Sequence, residues 1–417
     1  MDKPIAALEI TSTGIKLVVG YVYHHLVYIL HALESDRARL FQGQITDAEE
    51  MSHAIRELIL SAEKTLGISL ESVVLGLPSL DLNVVQAREE TTTTDPESHV
   101  QLFDGSNCLA MLQKQKTDEE GKKVVVDVVP YQYILDKNET FTSFPLAKVS
   151  STLAMAADVE IMDGLLVKSF SKAVTDAGLR IDKLVNVTNA AVKYICSFQK
   201  SYSEYVYLDI GAKLTTLGYA YDGRLYRAET INFGSDLISE NLAKDFSISL
   251  EEAERLKCTY GISKDPSFSF EAVKGVKVSQ IAASISKTLQ ILTDKVNAFN
   301  LTIDSSARNL FIVSGGGGDL NGLDTYLSKA FQNRILLFTP TCYGARSKRF
   351  TNCVSLIAYY AGYEIKTSPN RPVDLTLTRI SGKVISDNDK GDLTRLNQNK
   401  DDNVKKAPAK DPGEEEL

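Results

Sequence analysis

Between residues 5 and 22 the chain is apolar and rich in β-formers except at Thr11-Ser12-Thr13-Gly14, a pattern that predicts a strand, a tight polar turn and a second strand. A third apolar stretch occupies residues 26–32. Thr46, with Glu49 three residues on, has capping-box spacing, and Met51, Ala54, Ile55, Leu58, Ala62 and Leu66 then recur at helical intervals up to a stop at Gly67. Strand character returns over 72–77. Three strands, then a helix that crosses to another strand, make an α/β unit.

The texture changes over residues 84–161, where a threonine run at 91–94, a charged stretch at 114–123 and an apolar strand at 124–129 before Pro130 predict a small α+β module. A helix with Met162, Leu165, Leu166, Phe170, Ala173 and Ala177 on one face then ends at Gly178, which suits a left-handed C-cap. Residues 205–228 repeat the opening theme of strand, polar turn at 211–216, strand, Asp222-Gly223 turn and third strand. Two hairpins with polar tips at matched places predict an internal duplication with a cleft between the halves. Long helices are expected over 236–257 and 279–298, then a strand at 309–314, a glycine run and a helix from about Leu320.

Composition narrows the classes. The 417 residues hold 46 basic and 54 acidic side chains, a net charge of −8, which disfavours a nucleic-acid binder relying on cations to neutralise phosphates. Five scattered cysteines, Cys108, Cys196, Cys258, Cys342 and Cys353, form no two-residue pair, so a reducing cytoplasm and no zinc knuckle are expected. The five histidines all fall in the first hundred residues without His-Glu-x-x-His spacing. No signal peptide or stretch of about eighteen apolar residues is present in the sequence. From 387 onward nine acidic and six basic residues with few large apolar ones predict a disordered tail that does not bind anionic lipid.

Candidate chemistry gathers at the turns. Gly315, Gly316 and Gly317 lie between a strand and a helix, where missing β-carbons let backbone amides approach a ligand, yet neither Walker nor dinucleotide spacing is satisfied and a plain flexible connection explains the run as well. Asp209 and Gly211 at a strand end, followed by Lys213, Thr215 and Thr216, would set a carboxylate near a metal-bound phosphate, although an Asp-Gly pair is also an ordinary turn. Glu9, Thr11, Ser12, Thr13 and Lys16 take the equivalent place in the first hairpin. The run 251–257 reads on spacing only as a solvated helix face, and Tyr359, Tyr360 and Tyr363 as core or interface.

Taken in order, these pieces resemble the actin, sugar kinase and DnaK-type ATPase superfamily, and more narrowly the FtsA family of bacterial actin-like cell-division proteins. The likeness rests on Gly43-Gln44-Ile45-Thr46-Asp47, on Val128-Val129-Pro130 with Tyr133, and on Glu252-Ala253-Glu254 with Leu256-Lys257 and Tyr260-Gly261. The fold this implies is a duplicated actin-like α/β ATPase with an inserted 1C (SHS2-type) module at 84–161. Subdomain 1A would span 1–83, completed by 162–200 and about 350–366; 2A would span 201–235 and 302–349; 2B would span 236–301, with a polar tail over 367–417. The resemblance further implies ATP with Mg2+ between the halves. Thr11, Ser12, Thr13 and Lys16 would form the first phosphate hairpin, and Asp209, Gly211, Lys213 and Thr215 the second. Gly234, Glu254 and Lys257 would lie beside ribose and base, Gly315, Gly316 and Gly317 against the adenosine, and Asp209 would reach Mg2+ through water.

The family polymerises, grips the FtsZ C-terminal peptide through 2B and recruits later division proteins through 1C, at the inner face of the cell membrane. Glu9 stands where the family has Asp, Thr11 and Ala212-Lys213 replace hairpin glycines, and Thr216 replaces an acidic residue, so at most slow ATP hydrolysis is expected and no catalytic residue is assigned. The acidic end implies that the membrane is reached only indirectly. The rival readings are a PilM-like cytoplasmic scaffold of a pilus apparatus and an actin-fold small-molecule kinase.

Overall fold

The computed structural model describes residues 4–24, 26–116, 121–198, 202–262, 270–273, 275–303 and 310–362. Tyr363 and the tail expected to be disordered lie outside these residues. The first half opens with β1 (Ile5–Thr11), β2 (Gly14–Tyr23) and β3 (Leu26–Ser35), continues through α1 (Ala48–Leu66) and reaches β4 (Ser72–Leu77). The inserted segment supplies β5 (Asn83–Thr92), α2 (Leu102–Lys116), β6 (Lys123–Leu135), β7 (Thr140–Phe141) and β8 (Thr152–Asp163). Next come α3 (Gly164–Asp176), β9 (Arg180–Asn186) and α4 (Val187–Phe198). The second half holds β10 (Glu204–Ile210), β11 (Thr215–Tyr221), β12 (Arg224–Ile231), α5 (Ser235–Phe246), α6 (Leu250–Tyr260), β13 (Glu271–Val273), β14 (Val276–Lys277) and α7 (Val278–Leu301). It continues through β15 (Leu310–Ser314), α8 (Leu323–Phe331) and β16 (Arg334–Leu337), and the described chain closes with α9 (Thr351–Tyr360).

Two five-stranded sheets share one topology. The first is ordered β3-β2-β1-β4-β9 and the second β12-β11-β10-β15-β16. In each, the first three strands form an antiparallel meander and the next two add in parallel. The duplication read from the two hairpins is therefore a duplication of whole sheets. Helix α4 fixes their relation: Val187 and Ala190 pack with Ala7 and Val18 of the first sheet, while Ala191, Val192 and Ile195 share a core with Tyr205 and Tyr207 of the second. Helix α9 lies beside α4 and covers the same face of the first sheet through Cys353, Leu356 and Ile357.

Residues 83–163 form a four-stranded sheet, β5-β8-β6-β7, with α2 against it and a core of its own that includes Leu109, Leu112, Tyr133, Met155 and Val159. Pro130 does not end β6. The strand runs on to Leu135, with register shifts at Val125/Asp127 and Pro130/Gln132, because a bulge removes the ladder hydrogen bond that proline cannot make.

Several local expectations shift by a residue or more. The cap of α1 is Asp47, whose side chain accepts from the Glu50 amide, so Thr46 lies one residue outside; the helix does stop at left-handed Gly67. Met162 belongs to β8 and Leu165 is 76% exposed, but Phe170, Ala173 and Ala177 of the expected face are buried, with Val174 beside them, and the Asp163 side chain caps α3. The helix expected over 236–257 is two: Ser247 adopts a left-handed conformation after α5, and Ser249 caps α6 by accepting from the Glu252 amide. The glycine run enters a short 3-10 turn, Gly316–Asp319, before α8 begins at Leu323.

Candidate nucleotide cleft

Both hairpin tips open on one cleft of about 610 Å3 between the two sheets. Its lining includes Thr11, Ser12, Thr13 and Lys16 from the first hairpin, Asp209 and Gly211 from the second, Glu254 and Lys257 from α6, and Gly315, Gly316 and Gly317. Four sequence segments separated by up to about three hundred residues thus meet in one place.

The floor is built by the sheet register. Glu9 pairs across β1 and β2 with Lys16, and Asp209 pairs across β10 and β11 with Thr216. Glu9 sits two residues before the end of β1 and Asp209 one before the end of β10, at matched positions of the two hairpin ladders. Asn352, the second residue of α9, joins them: its Nδ2 donates to Glu9 Oε1 at 2.6 Å and to Asp209 Oδ2 at 2.9 Å. The neighbouring Thr351 hydroxyl meets Ser314 Oγ at 2.7 Å, so the start of α9 is bonded to the second sheet twice. Asn352 Oδ1 is buried without a hydrogen-bond partner.

Electrostatics at this floor are coupled. Burial pushes the Asp209 carboxyl up, and the negative charge of Glu9 adds to it; the Asn352 hydrogen bond and Lys16 only partly offset the rise. Burial works against the charge of Lys16, yet Glu9, Cys353, Asp209 and Glu34 together outweigh it and raise the ammonium above its ordinary value. Lys16 Nζ lies 3.5 Å from Glu9 Oε2 and donates to the Arg349 carbonyl at 2.8 Å.

The first tip is folded onto itself. Thr11 Oγ1 donates to the Gly14 carbonyl at 3.0 Å and accepts from the Thr13 amide at 3.3 Å, so the side chain that stands in a glycine's place ties up one of the turn's own donors. Opposite, a β-carbon at Gly315 would stand 2.3 Å from Asp209 Oδ1, which makes glycine obligatory where the run passes behind the carboxylate, and its φ of +80° requires glycine as well. At Gly316 a β-carbon would meet nothing within 4 Å.

Three expected site residues stand elsewhere. Lys213 Nζ is held by Glu240 at 2.8 Å and Asp236 at 3.2 Å and does not line the cleft. Thr215 is buried, donating to the Phe233 carbonyl at 2.8 Å. Gly234 caps α5, and a β-carbon there would collide with the Ala212 carbonyl at 2.1 Å, so it shapes the second hairpin rather than the cleft wall. On α6, Lys257 donates to Glu254 at 2.7 Å and to the Ser235 carbonyl at 3.1 Å; the ion pair expected on a solvated face faces the cleft instead.

Sequence reasoning missed Asn352, Lys348 and Arg349, all in the lining. Their signal was slight: one amide just ahead of the mostly apolar run 353–358, and two cations just before a helix. Lys348 reaches Asp319 at 2.5 Å and passes over Gly318.

Two duplicated sheets joined by α4 and α9 around a cleft, with an α+β module in the first half, define an actin-like fold. A family profile described as "Cell division protein FtsA" matches residues 206–355. The chain is 23% identical over 373 residues to cell division protein FtsA of Bacillus subtilis (strain 168), covering 85% of this chain and 82% of the relative, and 22% identical over 373 residues to that of Enterococcus faecalis (strain ATCC 700802 / V583), with the same coverage. Over most of its length the chain is thus similar to FtsA proteins. Among solved structures, a PilM-PilN type IV pilus biogenesis complex matches with a TM-score of 0.59 at 18% identity, over 86% of this chain and 98% of that one. Ethanolamine utilization protein EutJ from Carboxydothermus hydrogenoformans matches at 0.51 and 13% identity, over 86% and 91%. No helix among the described residues is long and apolar enough to cross a membrane.

Proposed function

We propose that this chain is an FtsA-like scaffold of the division machinery that binds ATP with Mg2+ in the cleft, polymerises, and links FtsZ filaments to that machinery at the inner face of the cell membrane. The observation that carries the reading is the matched pair Glu9 and Asp209, one from each sheet, converging with both hairpin tips and the glycine run on a single cleft. Glycine amides and hairpin hydroxyls suit phosphate, and Lys16 supplies a cation beside them.

The donor set fits magnesium. Two carboxylates and the unpartnered, buried Asn352 oxygen are hard oxygen ligands, and this ion is commonly held by one or two carboxylates with phosphate and water completing its shell. Among the described residues no group of three His, Cys, Asp or Glu side chains is placed to hold a metal, so the phosphates would share the ion. Asp209 and Glu9 would hold it, and when bound it neutralises phosphate charge. Thr216 in place of an acidic residue and the self-bonded Thr11 tip argue for slow hydrolysis.

On this reading 2B, formed by residues 236–301, grips the FtsZ C-terminal peptide, and the 1C module engages further copies and later division proteins. A PilM-like role in a pilus apparatus is the second reading, favoured by the fold match to the PilM-PilN complex. The separating experiment titrates the purified chain with the FtsZ C-terminal peptide and with the N-terminal peptide of a PilN-type protein. Binding of the first alone supports division, and binding of the second alone overturns it.

A further inference from the structure

Arg224 is the first residue of β12, directly after the Asp222-Gly223 turn, and its guanidinium leaves the second half to lie against the inserted module. Nε and Nη2 donate to the two carboxylate oxygens of Asp158 on β8 at 2.8 and 2.6 Å. The guanidinium carbon also stands 3.4 Å from the ring centre of Tyr131 and 4.8 Å from that of Tyr226. Tyr131 is the extra residue of the bulge after Pro130, and a bulge re-aims the side chain it carries. Both ion-pair side chains are largely buried, 16% and 8% exposed. A planar fork that pairs bidentately and stacks at once is chemistry specific to arginine.

The module's other fastening is to the first half. At the other bulge of β6, between Val125 and Asp127, Asp127 accepts from Tyr359 Oη at 2.8 Å and lies 3.2 Å from Lys183 Nζ. Tyr359 belongs to α9 and Lys183 to β9. One module sheet is therefore tied to both halves of the molecule.

Each tie sits on an element whose other end is in the cleft. Strand β12 begins at Arg224, and its next-to-last residue, Thr230, lines the cleft and donates to the Ser79 carbonyl of the first half at 3.2 Å. Helix α9 runs from Asn352, between the two floor carboxylates, to Tyr359, about 10 Å along the axis at 1.5 Å per residue. Strand and helix are stiff over such lengths. A change in the angle between the halves moves Arg224 relative to Tyr359, and the module sheet cannot follow both.

We propose that Arg224 couples the cleft to the module, so that a nucleotide between the halves and a protein partner on the module change each other's affinity through the Arg224 to Asp158 contact. The nucleotide in this statement rests on the cleft reading above; the mechanical link does not. Linkage makes the coupling reciprocal.

The test compares the full chain with Arg224→Ala and with Arg224→Lys, which keeps the charge and the fold but loses the fork. In the first arm, hydrogen exchange is followed on β6 and β8 with and without ATP and Mg2+. Wild type is expected to change protection in these strands, although none of their residues lines the cleft. In both variants ATP affinity should stay within about threefold while that module response is lost. An unchanged response in the variants, or none in a wild type that binds ATP, overturns the proposal.

The second arm needs no nucleotide. Spin labels on α1 and α7, with the exposed Cys258 replaced by serine, report the distance between the halves. Its distribution should broaden in Arg224→Ala and Arg224→Lys, and an unchanged distribution overturns the mechanical link. Failure of wild type to bind ATP in calorimetry would refute the nucleotide reading alone, and the second arm would then decide the link.

Discussion

Glu9 and Asp209 occupy the same place in two copies of one sheet, and the amide of Asn352 donates to both. Two like charges from opposite halves are thus held together by a neutral group with two hydrogens to give. The closure of the cleft floor depends on that amide, because without it burial and mutual repulsion both act against the carboxylates.

Asn352→Ala should therefore cost more than an ordinary surface change. Each of the two hydrogen bonds runs to a charged group, and loss of such a bond is worth about 1.5–3 kcal/mol. Urea denaturation is expected to show a loss of about 2 kcal/mol or more, with Asn352→Asp worse still because it adds a third carboxylate. A loss below about 0.5 kcal/mol would show that the floor is held by other contacts.

Asp209 gives the pH dependence a definite sign. Its carboxyl is pushed up in the folded state, first by burial and then by Glu9, so the folded protein holds this proton more tightly than the unfolded chain does. The resulting stabilisation is full below the unfolded carboxyl's range and disappears as pH rises through the folded value. Asp209→Asn should raise the thermal midpoint at about pH 8, and the gap over wild type should narrow as the pH falls toward about 4. A gap that widens on acidification would reverse the sign.

Glu160 is a second such group, remote from the cleft. It is 2% exposed on β8, one of its oxygens has no hydrogen-bond partner, and burial followed by the charge of Asp127 pushes its carboxyl well up. The same sign applies: its contribution is present at low pH and lost as pH rises through the elevated folded value. Glu160→Gln should match or exceed wild-type stability at neutral pH and gain on it as the solution becomes more alkaline. Denaturation midpoints at several pH values check this, and a clear loss at every pH would contradict it.

Lys213 is expected to be dispensable to the cleft. Its ammonium is half-exposed and paired with Asp236 and Glu240, and exposed pairs are worth about 0–1 kcal/mol. Lys213→Ala should leave ATP affinity within about twofold and stability within about 1 kcal/mol. A tenfold or larger loss of affinity, about 1.4 kcal/mol, would mean that the side chain reaches the phosphates.

The sequence was most legible where period and turn chemistry agree. Both hairpins, the α1 face and β4 follow from residue patterns, and the matched polar tips revealed the duplication. Legibility failed where one residue carries a long-range contact. Asn352 looks like an ordinary helical residue until the register of two separate sheets brings Glu9 and Asp209 to it, across 343 and 143 residues. Lys213 shows the opposite case: its spacing suits the second hairpin, but Asp236 and Glu240 on α5 hold its ammonium outside the cleft lining. Pro130 misled as a strand end because a bulge absorbs its missing donor.

The most direct test of the central claim is calorimetric titration of ATP with Mg2+ into the wild-type chain and into Gly316→Val. Position 316 is suited to it, since a β-carbon there would meet no protein atom within 4 Å and the residue lines the cleft. The expected result is saturable binding by wild type and at least a tenfold loss in a variant with an unchanged thermal midpoint, a difference of about 1.4 kcal/mol. No binding by wild type at millimolar ATP, or equal binding by the two, would contradict the claim that this cleft holds the nucleotide.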